Sequence, residues 1–191
     1  MQTRRWIGWL AVATMVALTV AMSRVDTQTR ISGGTPAQQE MARWAIGRFE
    51  AAGLSLPSLE IRFHPTPNGC GGRLGRYSDG KADLCGVHVN LMSRRTLLHE
   101  MAHGWVGTSV SAGLKDRFLR LRQLESWNDP GVDWQERGTE HAAEIIGWAL
   151  CDQGTGTQLP SVPRNAPAQL GDGYELLTGR PLPDLSDPPS E

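Results

Sequence analysis

The strongest constraint on how this 191-residue chain folds is the segment Leu97–His103, which contains the pattern H-E-x-x-H after two leucines. On an α-helix, residues four positions apart lie one above the other, so His99 and His103 aim their imidazoles at one point with Glu100 beside them. Two histidines and a carboxylate on one inward-facing stripe are costly to bury unless a bound ion satisfies them. Two imidazole nitrogens suit a zinc ion (Zn2+), which in catalytic sites takes a third protein ligand and a water molecule. The segment therefore predicts a helix that carries two zinc ligands, with Glu100 as the candidate catalytic base.

The third ligand must come from elsewhere in the chain, and a later predicted helix, Thr139–Leu150, offers candidates. Glu140 and Glu144 stand four positions apart, on one face of that helix. The residues around them are mostly apolar, which indicates that most of this helix is buried. The two carboxylates are therefore expected to point toward the core or toward a metal, because burying them unpaired would be costly.

With this pair of helices the chain resembles the gluzincin metallopeptidases, in particular the small single-domain minigluzincins. The resemblance covers residues 84–150: a strand, the helix with the H-E-x-x-H motif, and the later helix with its glutamates. It implies an α+β fold of the zincin type, in which a short antiparallel or mixed sheet packs on both helices. It also implies that Glu140 is the third zinc ligand, that Glu144 orients His99 from behind, and that an edge strand at 86–91 pairs with extended substrates.

Two positions depart from the pattern of that family. Glu144 stands where the family carries Asp, and Thr139 stands where thermolysin-like members carry Asn. Glu144 and His141 therefore stay open as alternative third ligands. The transition state of such a reaction is usually stabilised by a His, Tyr or Arg near the cleft, and the candidates are His88, His141 and Tyr77.

The resemblance implies an enzyme that hydrolyses peptide bonds, so that a peptide or protein is the substrate. Zinc lowers the pKa of a bound water molecule, and Glu100 accepts the proton of that water. The main alternative is a non-catalytic secreted or envelope binding module that keeps zinc as a structural clamp with a filled fourth position. A third hypothesis is a disulfide-stabilised interaction protein without a metal.

The amino terminus carries an export signal. Arg4 and Arg5 precede the uncharged run Trp6–Met22, and a polar stretch follows at once. Residues 1–23 form either a cleaved signal peptide or an anchor in which that run spans the membrane, and residues 24–35 form a polar linker. In both cases we expect the folded part outside the cytoplasm, secreted or anchored in the cell membrane.

Cysteine use agrees with export. Cys70 and Cys85 lie on either side of a Gly-rich, turn-rich segment, which predicts a hairpin or long loop that a disulfide closes. Cys151 follows an apolar helical stretch and is expected to be a buried free thiol.

Hydrophobic periodicity and capping residues predict the order of the elements. We expect helices at 37–52, 93–106, 114–124 and 139–150, and strands at 59–63 and 84–91. Residues 36–159 form the metallopeptidase-like domain. Seven of the 12 prolines follow from position 160 onward, so residues 160–191 are expected to be an extended tail with one short helix at 174–177.

Charge limits the class of partner. The chain has 19 basic and 20 acidic residues and a formal net charge of -1, so it lacks the broad positive field that phosphate backbones need. We therefore expect no nucleic-acid partner.

Overall fold

The computed structural model describes residues 29–151 and 159–185. The predicted signal segment and its membrane-spanning alternative lie outside these residues. The described elements are β1 (Arg30–Gly33), α1 (Pro36–Ala51), β2 (Glu60–His64), β3 (Gly75–Ser78), β4 (Lys81–Cys85), α2 (Leu91–Ser109), α3 (Ala112–Arg122), α4 (Gly138–Leu150) and α5 (Pro167–Thr178), with short 3₁₀ turns at Pro67–Cys70 and Trp134–Glu136. The fold is α+β, which confirms the predicted class.

One mixed sheet carries the four strands in the order β1-β2-β4-β3. β1, β2 and β4 run parallel, while β3 pairs with β4 in the antiparallel sense and forms one edge. The connection from β1 to the parallel β2 runs through α1, as parallel neighbours require a crossover. The region predicted as a polar linker thus contributes a strand at Arg30–Gly33, because backbone pairing rather than an apolar pattern holds it in the sheet.

The helix beginnings follow from local capping chemistry. Thr35 and Gln38 form a reciprocal capping box at α1, with a proline in the first turn. At α2 the capping residue is Asn90, and Ser93 closes the box from the third helical position. The helix predicted at 93–106 thus begins two residues earlier, at Leu91, because the side chain of Asn90 caps it and accepts the bond from the Ser93 backbone N–H.

The cysteine segment forms a tight hairpin of β3 and β4. Asp79 and Gly80 connect the strands with positive φ angles of 50° and 73°, the conformation that a two-residue hairpin turn requires. Cys70 and Cys85 are joined by a disulfide with a Cα–Cα distance of 5.9 Å, which confirms the predicted pairing. Cys151 is a buried cysteine outside this disulfide, also as predicted.

The predicted strand at 84–91 is wrong beyond Cys85. The backbone N–H of Gly86 donates to the carbonyl of His64, and its φ of +64° then turns the chain out of the sheet. Residues 86–90 lead into the N-cap of α2, so they cannot be the edge strand that the family resemblance implies. The edge beside α2 is β3 instead.

The carboxyl-terminal part contains a helix of 12 residues, which includes the short helix expected at 174–177 and begins seven residues before it. Pro167 occupies the first turn of α5, a position where proline needs no N–H partner. Leu170, Tyr174 and Leu177 then recur at helical spacing and are buried in the common core, and α5 packs on α3 and α4. The high proline content of this region hid the apolar periodicity.

The α2 and α4 helices lie side by side, and α2 also contacts both β3 and β4 of the sheet. Gly147 permits the close approach of the two helices. A Cβ added there would lie 3.2 Å from the backbone nitrogen of His99, tighter than most real contacts. The middle of α2, where the H-E-x-x-H motif lies, is thus held next to α4.

Candidate metal centre

Five charged or ionisable side chains interleave along the contact between α2 and α4. Arg95, His99 and His103 follow one another at four-residue steps on α2, and Glu140 and Glu144 are four residues apart on α4. Arg95 Nη2 lies 2.5 Å from Glu144 Oε2, and Glu144 Oε1 lies 3.3 Å from His99 Nδ1. Glu140 Oε2 lies 3.3 Å from His99 Nε2 and 3.2 Å from His103 Nε2. The side chains of the two helices therefore alternate along the contact, and each one contacts side chains of the opposite helix.

Three of these atoms form a nearly equilateral triangle. The Nε2 atoms of His99 and His103 are 3.1 Å apart, and Glu140 Oε2 lies 3.2 to 3.3 Å from each of them. Bonds of about 2.0–2.1 Å in a tetrahedral zinc site place neighbouring ligand atoms roughly 3.3–3.4 Å apart. The spacing of the three atoms fits three corners of such a site to about 0.3 Å.

His99, Glu100 and His103 form a group that could hold a metal ion, since one ligand atom of each lies within 4.8 Å of the others. The chemistry of the surrounding atoms also fits a cation. Glu140 Oε2 is buried, and among the described residues its contacts with the two imidazoles lack hydrogen-bond geometry. A buried carboxylate oxygen without a donor is costly, and an ion beside the two imidazoles would satisfy it.

The carboxylates and imidazoles of the group shift one another's pKa values. Burial disfavours the charged imidazole of His99, but the carboxylates of Glu140 and Glu144 outweigh it and raise the pKa of His99 to about 10. Burial would likewise raise the pKa of Glu144, but His99 and Arg95 lower it to about 2. The pKa of Glu140 is also lowered, because the two imidazoles outweigh the effect of burial. The site is thus built to keep both carboxylates ionised beside positive charge.

Glu100 lies beside this triangle and has a different environment. Burial raises its pKa above the ordinary value, and the nearby imidazoles offset this only in part. The backbone N–H of Tyr77 on β3 also offsets the rise in the pKa of Glu100, though less than the imidazoles do. A Cβ at Gly75 would lie 2.5 Å from Glu100 Oε1, so the glycine at the start of β3 leaves the space that the carboxylate occupies.

His141 has another role, although it follows Glu140 in the sequence. Its Nε2 lies 2.7 Å from the carbonyl of Gln135, and its Nδ1 accepts from Arg122 Nε at 3.3 Å. Burial lowers the pKa of His141 to about 4, so the ring is neutral at pH 7. Both ring nitrogens are engaged within the core, which leaves no donor atom for a metal. The alternative of His141 as third ligand does not fit this geometry.

The three candidates for transition-state stabilisation lie in different places in the structure. Tyr77 lies at the site, with its ring centroid 6.1 Å from that of His103. His88 is exposed and does not line the cavity at the metal centre, and His141 is held in the core. Tyr77 is therefore the one of the three that lies beside the candidate metal centre.

A cavity of about 1230 Å³ opens at the site, between β3, the first turns of α2 and the loop before α4. The indole of Trp134 lies over His99, with ring centroids 6.1 Å apart. Leu74, Leu91 and Met92 line the same cavity and are 39 to 55% exposed. Exposed apolar side chains beside buried charge are typical of ligand-binding clefts.

Sequence reasoning missed three contributors to this site. Arg95 could have been found from its spacing, since it stands four residues before His99 on the same helix face. Gly75 and Trp134 gave no signal, because their roles depend on how β3 and the loop before α4 fold back onto α2.

Comparison of the chain with family models, with curated proteins and with solved structures finds no match in any of the three. Within residues 29–151 and 159–185, no helix has the length and apolar character needed to cross a membrane.

Proposed function

We propose that this protein is a zinc-dependent metallopeptidase of the gluzincin type that hydrolyses peptide bonds. The observation that carries the proposal is the triangle of His99 Nε2, His103 Nε2 and Glu140 Oε2, with Glu100 beside it at the base of an open cleft. A zinc ion that only stabilises the fold would need the three ligand atoms of the triangle, but it would need neither Glu100 nor a cleft. The adjacent buried glutamate and the open cavity favour catalysis.

In this proposal His99, His103 and Glu140 hold the zinc, and Glu144 fixes the ring of His99 through Nδ1. When bound, zinc supplies a Lewis acid that polarises a substrate carbonyl and lowers the pKa of a water molecule. Glu140 is favoured over Glu144 as ligand because its oxygen faces both Nε2 atoms, whereas Glu144 faces the opposite nitrogen of His99.

Glu100 acts as the general base. Its carboxylate takes a proton from the attacking water and then delivers that proton to the departing amine nitrogen. Its raised pKa suits this role, because a base with a pKa nearer to neutrality both accepts and releases a proton readily. Gly75 on β3 leaves the space that the Glu100 carboxylate occupies, so the strand confines this carboxylate beside the triangle.

The edge strand β3 is the proposed binding edge for an extended peptide. Its inner side pairs with β4, while its other side has no strand partner among the described residues. Gly75 and Tyr77 of β3 line the cavity directly. A peptide that adds to this edge would lie along the cleft, with backbone hydrogen bonds giving affinity and the cleft walls giving side-chain preference.

We propose that the protein acts outside the cytoplasm, either secreted or held at the membrane by its amino-terminal segment. The export signal of the sequence supports this location, and the Cys70–Cys85 disulfide agrees with it because such bonds persist in oxidising compartments.

The decisive test replaces Glu100 by Gln, which has nearly the same shape but cannot take up a proton. The zinc-loaded protein is screened against a broad peptide library at neutral pH, with a chelator added in parallel. We expect chelator-sensitive cleavage by the wild type and a loss of about 10²- to 10⁴-fold in Glu100→Gln, with one zinc retained per chain. Glu136→Gln is the matched control, because Glu136 lies near the site in sequence but outside the cavity.

Two results would contradict the proposal in different ways. Equal cleavage by wild type and Glu100→Gln would remove Glu100 from the mechanism. Stoichiometric zinc in a wild-type protein that cleaves nothing in the library would favour the non-catalytic zinc module.

A further inference from the structure

We infer that Arg95 is a positioning residue of the metal centre, which holds Glu144 in the one orientation that fixes the ring of His99. The inference rests on the proposed zinc site and goes beyond its ligands. No part of the H-E-x-x-H motif includes Arg95, which precedes it by one helical turn.

The geometry divides Glu144 between two neighbours. Its Oε2 lies 2.5 Å from Arg95 Nη2, and its Oε1 lies 3.3 Å from His99 Nδ1. The side chain of Glu144 is only 11% exposed. Each carboxylate oxygen thus contacts a different partner, and rotation of the carboxylate would break both contacts at once.

Arg95 is itself fixed at a second point. Its Nη1 donates to the backbone carbonyl of Leu159 at 3.3 Å while Nη2 meets Glu144. A planar guanidinium that makes two contacts in different directions has a defined orientation. Lysine carries the same charge but has one terminal nitrogen, so it cannot reproduce both contacts with the same rigidity.

The two histidines differ in how their far nitrogens are supported. Among the described residues, His103 Nδ1 lies 3.5 Å from the hydroxyl of Thr139, whereas His99 Nδ1 lies 3.3 Å from a carboxylate that Arg95 contacts. The contact at Nδ1 sets the rotation of an imidazole ring and hence the direction of Nε2. The aim of His99 toward Glu140 and His103 therefore depends on the chain of contacts from Arg95 through Glu144.

This series predicts that Arg95 and Glu144 act as one unit. Loss of a partner behind a metal-binding histidine typically weakens metal affinity by about 10- to 100-fold. If Arg95 acts through Glu144, removing both residues should cost no more than removing either one. Independent roles would instead give effects that multiply.

The experiment measures zinc affinity by competition with a chromophoric chelator for wild type, Arg95→Gln, Glu144→Gln and the double variant. We expect each single variant to bind zinc about 10- to 100-fold more weakly and the double variant to match them. Arg95→Lys should fall between wild type and Arg95→Gln. Arg94→Gln is the matched control, because Arg94 is the neighbouring arginine on α2 but lies over the ring of Trp44.

A second readout separates positioning from general loss of structure. Cobalt(II) replaces zinc in the same variants, and its visible absorption reports the ligand geometry. We expect the spectrum of Arg95→Gln to change in the same way as that of Glu144→Gln, while the far-ultraviolet circular dichroism of both stays that of the wild type. If Arg95→Gln does not fold, Arg95→Lys gives the same comparison.

Unchanged zinc affinity and cobalt spectrum in Arg95→Gln would overturn the inference, as would losses that multiply in the double variant. Both results leave the proposed function intact, since wild-type zinc binding and the effect of Glu100→Gln are measured separately. If the wild type binds no zinc, the inference fails together with the proposed function.

Discussion

Glu140 and Glu144 carry the same carboxylate one helical turn apart, yet their neighbours give them different chemistry. Glu140 Oε2 faces the Nε2 atoms of both histidines, and Glu144 lies between His99 Nδ1 and Arg95. One carboxylate is therefore suited to a metal and the other to the ring behind it. The difference comes from the register of two packed helices, because the two residues occupy equivalent positions on α4 itself.

This difference predicts an order of effects at the residue scale. Glu140→Ala should weaken zinc binding beyond the loss in Glu144→Ala, for which we expect about 10- to 100-fold. Zinc affinity measured by chelator competition gives the order directly, with Glu136→Ala as a control outside the cavity. The reverse order would reassign the third ligand to Glu144.

Gly75 shows how a residue without a side chain contributes to a site. An alanine there would place its Cβ 2.5 Å from Glu100 Oε1 and 2.6 Å from a methyl carbon of Thr96. Neither contact is sterically acceptable, so the strand or the glutamate would have to move. An alanine at this position would therefore displace the Glu100 carboxylate from the place it occupies beside β3.

At the scale of elements, the face of the sheet opposite α2 carries a row of charge. Asp83 on β4 is fully buried between Arg62 on β2 and Arg76 on β3, in register across the three strands. Arg62 binds both of its oxygens at 2.7 and 2.8 Å, and His64 Nε2 lies 2.8 Å from Oδ1. This cluster links β2, β3 and β4 on the side of the sheet away from the candidate metal centre.

The cluster predicts a pH-dependent contribution to stability. Burial alone would raise the pKa of Asp83, but the hydrogen bonds from Arg62 and His64 outweigh it and lower the pKa. The carboxyl of Asp83 therefore takes up its proton at a higher pH in the unfolded chain than in the folded one. Its contribution to the free energy of unfolding is complete above the ordinary Asp pKa of about 4 and is lost as the pH falls through the lower pKa of the folded state.

The test compares Asp83→Asn with wild type by urea unfolding. At pH 7 the free energy of unfolding of the variant should be about 1–3 kcal/mol lower. The gap should narrow below about pH 4, as the wild type loses its own carboxylate charge. Asp116→Asn, an exposed change on α3, should show little gap at any pH. If the difference in the free energy of unfolding between wild type and Asp83→Asn stayed constant down to acidic pH, the lowered pKa of Asp83 would be contradicted.

At the scale of the whole molecule, the candidate metal centre joins the two central helices. His99 and His103 lie on α2 and Glu140 lies on α4, while α2 also packs on the sheet and α4 on α5. Any ion held by these three residues therefore links the sheet side of the fold to the α5 side. Ions that bind only the folded state stabilise all elements that the site connects.

Zinc removal should consequently lower the melting temperature of the whole domain. At free zinc of about 100 times its dissociation constant, binding adds about 2.7 kcal/mol, which corresponds to roughly 5–10 °C for a chain of this size. Calorimetry with and without chelator measures the shift, and His103→Ala should show none. A wild-type melting temperature that does not respond to zinc would contradict binding at this site.

The grouping of the candidate ligands on each helix follows from their four-residue spacing, which can be read from the sequence alone. The step of four residues places the imidazoles of His99 and His103 together on one helix face, and their Nε2 atoms lie 3.1 Å apart. The same rule groups Glu140 with Glu144 on a buried helix. The Cys70–Cys85 pairing was also predictable, because an Asp-Gly turn between the two cysteines folds the intervening segment back on itself.

The tertiary structure alone decided how these local units meet. Which carboxylate faces Nε2 depends on the register of α2 against α4, which Gly147 allows by bringing the backbones close. β3 rather than residues 86–91 forms the edge of the sheet because Gly86 turns the chain away from it. The α5 helix belongs to the core through its contacts with α3 and α4. Helical and strand periods act within one element, whereas packing between elements distant in sequence depends on the shapes of all of them together, so no local pattern contains it.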